Sequence, residues 1–175
     1  SAWTWEIQAL VRARFVAGSE ELGERFDQIR RSVLAQSRDA DLLRRDVLDM
    51  REKMRRHLDT NTQPTGGSEI LLSGFDLKQG VGAIVDIEFL VQYLVLRYGA
   101  SIESLTEWTD KARLLEALAR HGVIEATEAA LLQEAYVAYR RAVHFERLGG
   151  ELNSYEHLIS FREQVVPIWR RYLES

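Results

Sequence analysis

The chain of 175 residues has no cysteine. That absence excludes disulfides and thiolate chemistry and is compatible with the cytosol. Also missing is any apolar run near the roughly 18 residues that a membrane-crossing helix needs. No basic-plus-apolar leader precedes a small-residue cleavage site, so a soluble, unexported protein without a membrane partner is expected. A positive surplus is lacking too. The formal net charge of -4 gives no support for a general nucleic-acid grip, although arginine clusters leave room for a local positive patch. The four histidines, His57, His121, His144 and His157, show none of the paired spacing of a helical metal site. They read as surface or capping residues, and no metal ligand is assigned in the chain. Only two prolines occur, Pro64 in a linker and Pro167 inside the last helix, which it should bend. The tryptophans Trp3, Trp5, Trp108 and Trp169 read as packing anchors.

What is present is helical periodicity. The length suits one domain able to bury roughly 70% of its unfolded surface. The pattern predicts an all-α fold, a single multi-helix bundle of about six or seven helices over residues 1–175, beginning with a helix already under way as if excised from a larger protein. Helices are expected over 2–17, 20–36, 40–58, 83–98, 110–121, 127–148 and 154–173. In the first, Trp5, Ala9, Ala13 and Val16 are spaced for one buried face, with Gly18 as the stop. Ser19 can cap the second, whose Leu22, Phe26, Ile29 and Val33 recur at helix-packing intervals. Asp39 or Asp41 opens the third, with a stripe of Leu43, Val47, Met50, Met54 and Leu58 and with arginines and Lys53 over the remainder, a solvated and salt-bridged surface. Residues 59–74, rich in Thr, Gly, Asn and Ser, form the one real linker, whose length suggests a disordered insert or a flap near a site. Thr109 reads as an N-cap before Ala112, Leu115, Leu118 and Ala119, and Gly122 as the close. Leu132, Tyr136, Tyr139 and Val143 give the next helix its core face. Asn153 with Glu156 reads as a capping pair for the last, which buries Leu158, Val165, Trp169 and Tyr172.

The stretch 75–98, FDLKQGVGAIVDIEFLVQYLVLRY, organises the rest. A short extended segment from Phe75 to Lys78 runs into a turn holding Gly80 and Gly82, and an apolar helix follows. Projected at about 100° per residue, Ile84, Ile87, Val91, Leu94, Val95 and Tyr98 cluster on one side, while Val85, Phe89 and Leu96 fill much of the rest. This helix should be enclosed. Asp86, Tyr93 and Arg97 share a strip that reads as an outlet to solvent or a cleft. Glu88 and Gln92 share a face among apolar neighbours and are candidates for a buried polar network, with Lys78 or the arginines of the preceding helix as partners for the carboxylate.

The run resembles the DLK…GG…DIEF block of the bacterial glutamine synthetase adenylyltransferases. Trp5-Glu6, Ala9-Leu10, Arg12-Ala13-Arg14, Val16-Ala17-Gly18 and the block Met50-Arg51-Glu52-Lys53-Met54-Arg55 agree in the same order, so the likeness spans Trp3 to about Arg147. Two departures stand out. Ala83 replaces a second glycine and Val85 a polar residue, which implies a looser contact with whatever binds there.

The resemblance implies the C-terminal helical domain of the adenylylating half of such an enzyme, which transfers AMP from ATP to a tyrosine of glutamine synthetase with magnesium, under control of the PII signal protein and glutamine. The implied partners are the adjoining nucleotidyltransferase core of the same chain, glutamine synthetase and PII, with no nucleic acid. Lys78, Gly80, Gly82 and Asp86 would form one wall of the nucleotide cleft, the helix start offering free N–H groups to phosphate. Arg51 and Lys53 would offset triphosphate charge. No catalytic residue is assigned in the fragment, and neither ATP nor Mg2+ is expected to bind it tightly. The plainer reading of the block is architectural: glycines for a tight turn, Lys78 and Glu88 as a buried pair, Asp86 favouring the helix start. Gly67-Ser68 with Asp86-Ile87-Glu88 mimics the signature of a nucleotidyltransferase core. That chemistry needs two acids pointing one way from a strand, whereas residues two apart on a helix diverge by about 200°. Two alternatives remain, a stand-alone helical interaction module and the helical domain of a PII uridylyltransferase-like protein.

Overall fold

The structure, a computed structural model, describes residues 4–60, 71–72, 75–150 and 155–175. Eight helices appear among them: α1 (Thr4–Arg12), α2 (Glu20–Leu34), α3 (Ala40–Thr60), α4 (Ile84–Tyr98), α5 (Ser104–Glu107), α6 (Lys111–Arg120), α7 (Ala126–Arg147) and α8 (Glu156–Leu173). A two-residue antiparallel pairing joins β1 (Leu71–Leu72) to β2 (Phe75–Asp76). The fold is all-α, as the periodicity predicts. Trp3, most of the linker with Gly67-Ser68, and Asn153 lie outside the described residues. None of the described helices is long and apolar enough to cross a membrane.

Packing divides the chain into two compact units where the sequence reads as one bundle: 1–50 with 91–126, and 51–90 with 127–175. In the first unit the core holds Val11, Leu34, Leu43, Val47, Leu94, Val95, Leu105, Leu114 and Leu118. Its caps follow local chemistry. The Ser19 hydroxyl accepts from Leu22 N and Asp39 Oδ1 accepts from Leu42 N, each satisfying one free donor at a helix start. For α6 the cap is Asp110, whose Oδ1 accepts from Arg113 N, one residue later than the expected Thr109.

Two faces in this unit differ from expectation. α1 stops at Arg12 and turns Gln8 and Val11 inward, leaving Trp5 and Val16 exposed. α2 buries Arg30 and Leu34, while Leu22 and Ile29 lie largely in solvent. The cause is Arg30. Its Nε and Nη2 donate to Leu10 O and Val11 O, at the end of α1, at 2.8 and 3.0 Å. Its Nη1 and Nη2 donate to Thr106 O and Trp108 O, beside α5, at 2.7 and 2.9 Å. A guanidinium that closes two chain ends fixes the rotation of its own helix, and the apolar stripe then faces outward.

The second unit is built on Phe75, Leu77, Ile84, Ile87, Leu90, Leu132, Tyr139, Leu158, Val165, Ile168 and Trp169, all buried. Tyr139 meets the rings of Phe75 and Phe161 edge-on at 6.0 and 6.4 Å. Across α7 and α8, Glu128 accepts from Arg171 and, at 2.8 Å, from the Tyr172 hydroxyl. Burial and that carboxylate push the Tyr172 pKa up to about 12. Through both units α4 is enclosed: of its side chains only Arg97 is exposed, with Glu88 and Tyr98 half-buried. Each of its fully buried leucines and isoleucines contributes about 2 kcal/mol relative to exposure.

Candidate functional site

The turn before α4 is held by its own backbone. Gly80 N donates to Asp76 O at 2.8 Å and Ala83 N to Gly80 O at 3.1 Å. Asp76 Oδ1 accepts from Lys78 N and Gln79 N, at 2.7 and 2.9 Å. Its aspartate thereby closes the loop on itself, as short acidic side chains do. The amides at the helix start are taken as well. Ile84 N donates to Leu77 O, Val85 N to Lys78 O and Ile87 N to Ala83 O. Ile84 N, Val85 N and Ile87 N, expected to be free for phosphate, are thus occupied by the preceding turn.

Both glycines serve that closure. A Cβ at Gly80 would lie 2.4 Å from Asp76 O. Gly82 has a φ of +78°, and a Cβ there would meet Val166 Cγ2 at 2.8 Å and Arg162 O at 3.3 Å, both on α8. Gly82→Ala should therefore destabilise by about 2–3 kcal/mol in urea unfolding. Gly122→Ala, at a φ of +68° with nothing within 4 Å, should lose only about 1 kcal/mol, since it carries the backbone cost without the clash. Equal losses at the two sites would show that α8 does not seal the turn.

Asp86 is fully buried, with 0% exposure. Its Oδ1 accepts from Arg51 Nε at 2.6 Å and Arg55 Nη2 at 2.9 Å. Its Oδ2 accepts from Arg55 Nη2 and from Gly82 N, both at 2.8 Å. Arg51, 1% exposed, also donates to Gln79 O at 2.6 Å and Gln79 Oε1 at 3.3 Å. The two guanidinium groups lie over aromatic rings, Arg51 over Phe89 and Arg55 over Trp169, each 5.9 Å from the centroid. Burial lowers the Arg51 pKa from its ordinary value, and the Asp86 charge pulls it back up. α3 and α4 are thus locked to the turn by one carboxylate shared between two arginines.

The expected site residues part company here. Asp86, Arg51, Gly80 and Gly82 come together in a knot in which Asp86 and Arg51 are buried, while Arg55, the second arginine on Asp86, remains partly exposed. Asp86 opens to neither solvent nor cleft, and Tyr93 on the same strip is buried too, leaving Arg97 as the exposed member. Lys78 and Lys53 are exposed. Lys78 is therefore no buried partner for Glu88, and the α3 arginines answer Asp86 instead. Glu88 Oε1 accepts from the Tyr136 hydroxyl at 3.0 Å, and Gln92 Oε1 accepts from Gln8 Nε2 at 3.4 Å, so each finds its own partner. Sequence reasoning missed Arg55, Arg30 and Arg162. Arg162 donates to Val81 O at 3.2 Å and lies over the Phe75 ring. For Arg51 there was a signal: it stands four residues after the buried Val47, on the α3 stripe. Arg30 similarly stands four before Leu34. Neither Trp5 nor Trp108 anchors a core; Trp108 instead carries Arg113 on its ring at 4.3 Å, while Trp169 is buried as expected.

A family model described as GlnD PII-uridylyltransferase matches residues 48–162, and one described as glutamate-ammonia ligase adenylyltransferase matches residues 1–29. The chain is similar to the bifunctional glutamine synthetase adenylyltransferase/adenylyl-removing enzyme of Pseudomonas aeruginosa, at 47% identity over 97% of this chain and 18% of that protein. To the enzyme of the same description from Pseudomonas syringae pv. tomato it is 43% identical, over 96% of this chain and 18% of the relative. The chain thus spans less than a fifth of the length of these relatives. On this identity along nearly its whole length, the chain belongs to the glutamine synthetase adenylyltransferase family, and its residues 48–162 carry the helical segment matched by the PII-uridylyltransferase model.

Proposed function

We propose that this is the C-terminal helical domain of the adenylylating half of a cytoplasmic glutamine synthetase adenylyltransferase. The whole protein, on this reading, transfers AMP from ATP to a tyrosine of glutamine synthetase, under control of PII and glutamine. The observation that carries it is the 47% identity to a bifunctional adenylyltransferase/adenylyl-removing enzyme over 97% of the chain. The domain packs against the nucleotidyltransferase core and supplies no catalytic group. Asp86 is occupied by Arg51 and Arg55, and no cluster of three His, Cys, Asp or Glu side chains lies among the described residues. With its carboxylate committed to two arginines, Asp86 is not free to hold magnesium, and on this reading the ion and the chemistry on the triphosphate belong to the core. What this chain brings is a rigid turn: Gly80, Gly82, Asp86 and Arg51 fix its shape, and exposed Lys78 and Lys53 present positive charge to the nucleotide side.

The test uses the full-length polypeptide. Wild type should label glutamine synthetase with AMP, the 175-residue chain alone should not, and Lys78→Ala in the full-length protein should lower kcat/KM for ATP by about tenfold with folding intact. Turnover by the isolated chain, or an unchanged kcat/KM in the variant, would remove the proposed division of labour. The match of residues 48–162 to the PII-uridylyltransferase model favours a second reading, the helical domain of a PII uridylyltransferase-like protein. Uridylyl transfer to PII from UTP, with no AMP transfer to glutamine synthetase, would decide for it.

A further inference from the structure

The outer face of α2 is unusual for a helix that already has a packed side. Leu22 and Ile29, seven residues apart and therefore stacked two turns along one face, are 61% and 57% exposed. Phe26 and Val33 flank them half-buried, while the rest of the exposed helix surface is charged or polar. An apolar centre with a charged rim of both signs is the pattern of a surface that another protein body covers. In the same N-terminal segment Trp5 and Val16 are also exposed, at 48% and 85%.

The occupant follows from where this face falls in the comparisons. Trp5, Val16, Leu22 and Ile29 lie within residues 1–29, the part matched by the glutamate-ammonia ligase adenylyltransferase model, whereas other exposed apolar side chains, Leu42, Phe145 and Leu148, stand apart from this face, and the helical remainder at 48–162 is matched by a different model. The relatives hold more than four-fifths of their length outside the region similar to this chain. We propose that Leu22 and Ile29 on α2 form the seat on which the nucleotidyltransferase core of the same polypeptide docks. This rests on the functional reading above and adds to it the surface involved. α2 does not turn this face inward because Arg30, about 80–100° round the helix from Leu22 and Ile29, is committed to the ends of α1 and α5. The helix therefore has two partners, one inside its own unit through a guanidinium and one outside it through an apolar stripe.

A photo-crosslinking p-benzoylphenylalanine at position 29 of the full-length polypeptide tests the assignment, with position 24 on the opposite side of α2 as control. Mass spectrometry should find intramolecular crosslinks from position 29 to residues of the core, several-fold above those from position 24. Leu22→Glu combined with Ile29→Glu should lower AMP transfer by about tenfold while circular dichroism shows unchanged helix content, because both side chains are exposed within their own unit. Crosslinks only between two copies, or only to added glutamine synthetase, would overturn the proposal, as would yields equal to the control. Failure of the wild-type polypeptide to adenylylate glutamine synthetase sinks the functional reading instead, and the crosslink map still decides whether the face is a seat.

Discussion

Asp86→Ala should destabilise the protein by about 3–5 kcal/mol, the largest loss expected from any single truncation in the second unit. The carboxylate accepts four hydrogen bonds, from Arg51, twice from Arg55 and from Gly82 N. Without it the buried Arg51 keeps its hydrogen bonds to Gln79 and its place over the Phe89 ring, but loses the carboxylate that directly pairs its charge. The ion pair itself is not the source of that number. Removing two charges from water costs nearly what their attraction returns, so the loss comes from stranding one of them. Two further variants separate these effects. Asp86→Asn keeps the volume and some hydrogen bonding and should recover part of the loss. Asp86→Leu combined with Arg51→Met removes both charges and should be less destabilising than Asp86→Ala alone. Urea unfolding of the set checks this, and an additive double mutant would show that the two residues do not depend on each other.

A loss of similar size, about 3–5 kcal/mol, is expected for Arg30→Met in the first unit, through a different mechanism. Its four hydrogen bonds go to backbone carbonyls, two at the end of α1 and two beside α5. Helix ends leave their last carbonyls without partners inside the helix, and a buried carbonyl that loses its donor pays the full desolvation term. Methionine fills most of the volume and offers none of the donors. Arg30→Lys keeps the charge but has a single nitrogen that cannot reach four acceptors set around a planar fork, so it should restore less than half of the loss. Hydrogen exchange locates the damage: amides of α1 and α5 should exchange faster in Arg30→Met, whereas those of α8 should not. A loss under about 1 kcal/mol would mean that solvent reaches these carbonyls readily.

These two arginines also mark where the sequence could and could not be read. α4 was legible because its apolar residues surround the helix and leave it no choice but enclosure. Gly122 as a stop, Ser19 and Asp39 as caps, and the Leu43–Val47 stripe were legible because each depends on neighbours within a few residues. The face of α2 was not. Periodicity places Leu22, Phe26, Ile29 and Val33 on one stripe but gives no origin for the rotation, and the origin was set by Arg30 reaching Thr106, 76 residues away. The candidate site divides the same way. The block of lysine, glycines and acid was visible as a unit, and its likeness to the adenylyltransferases gave the family. That the acid is consumed by Arg51, 35 residues earlier, and that Ile84 N and Val85 N are closed by the preceding turn, was not visible.

The sequence by itself determined the helical class, the position of most helices and the enclosed central one, because these rest on short-range spacing, capping and the summed burial of many apolar side chains. Only the tertiary structure decided which charges lie inside, which stripe of α2 looks outward and whether the helix start is open, because each depends on a partner distant in the chain and on a rotation that local pattern leaves free.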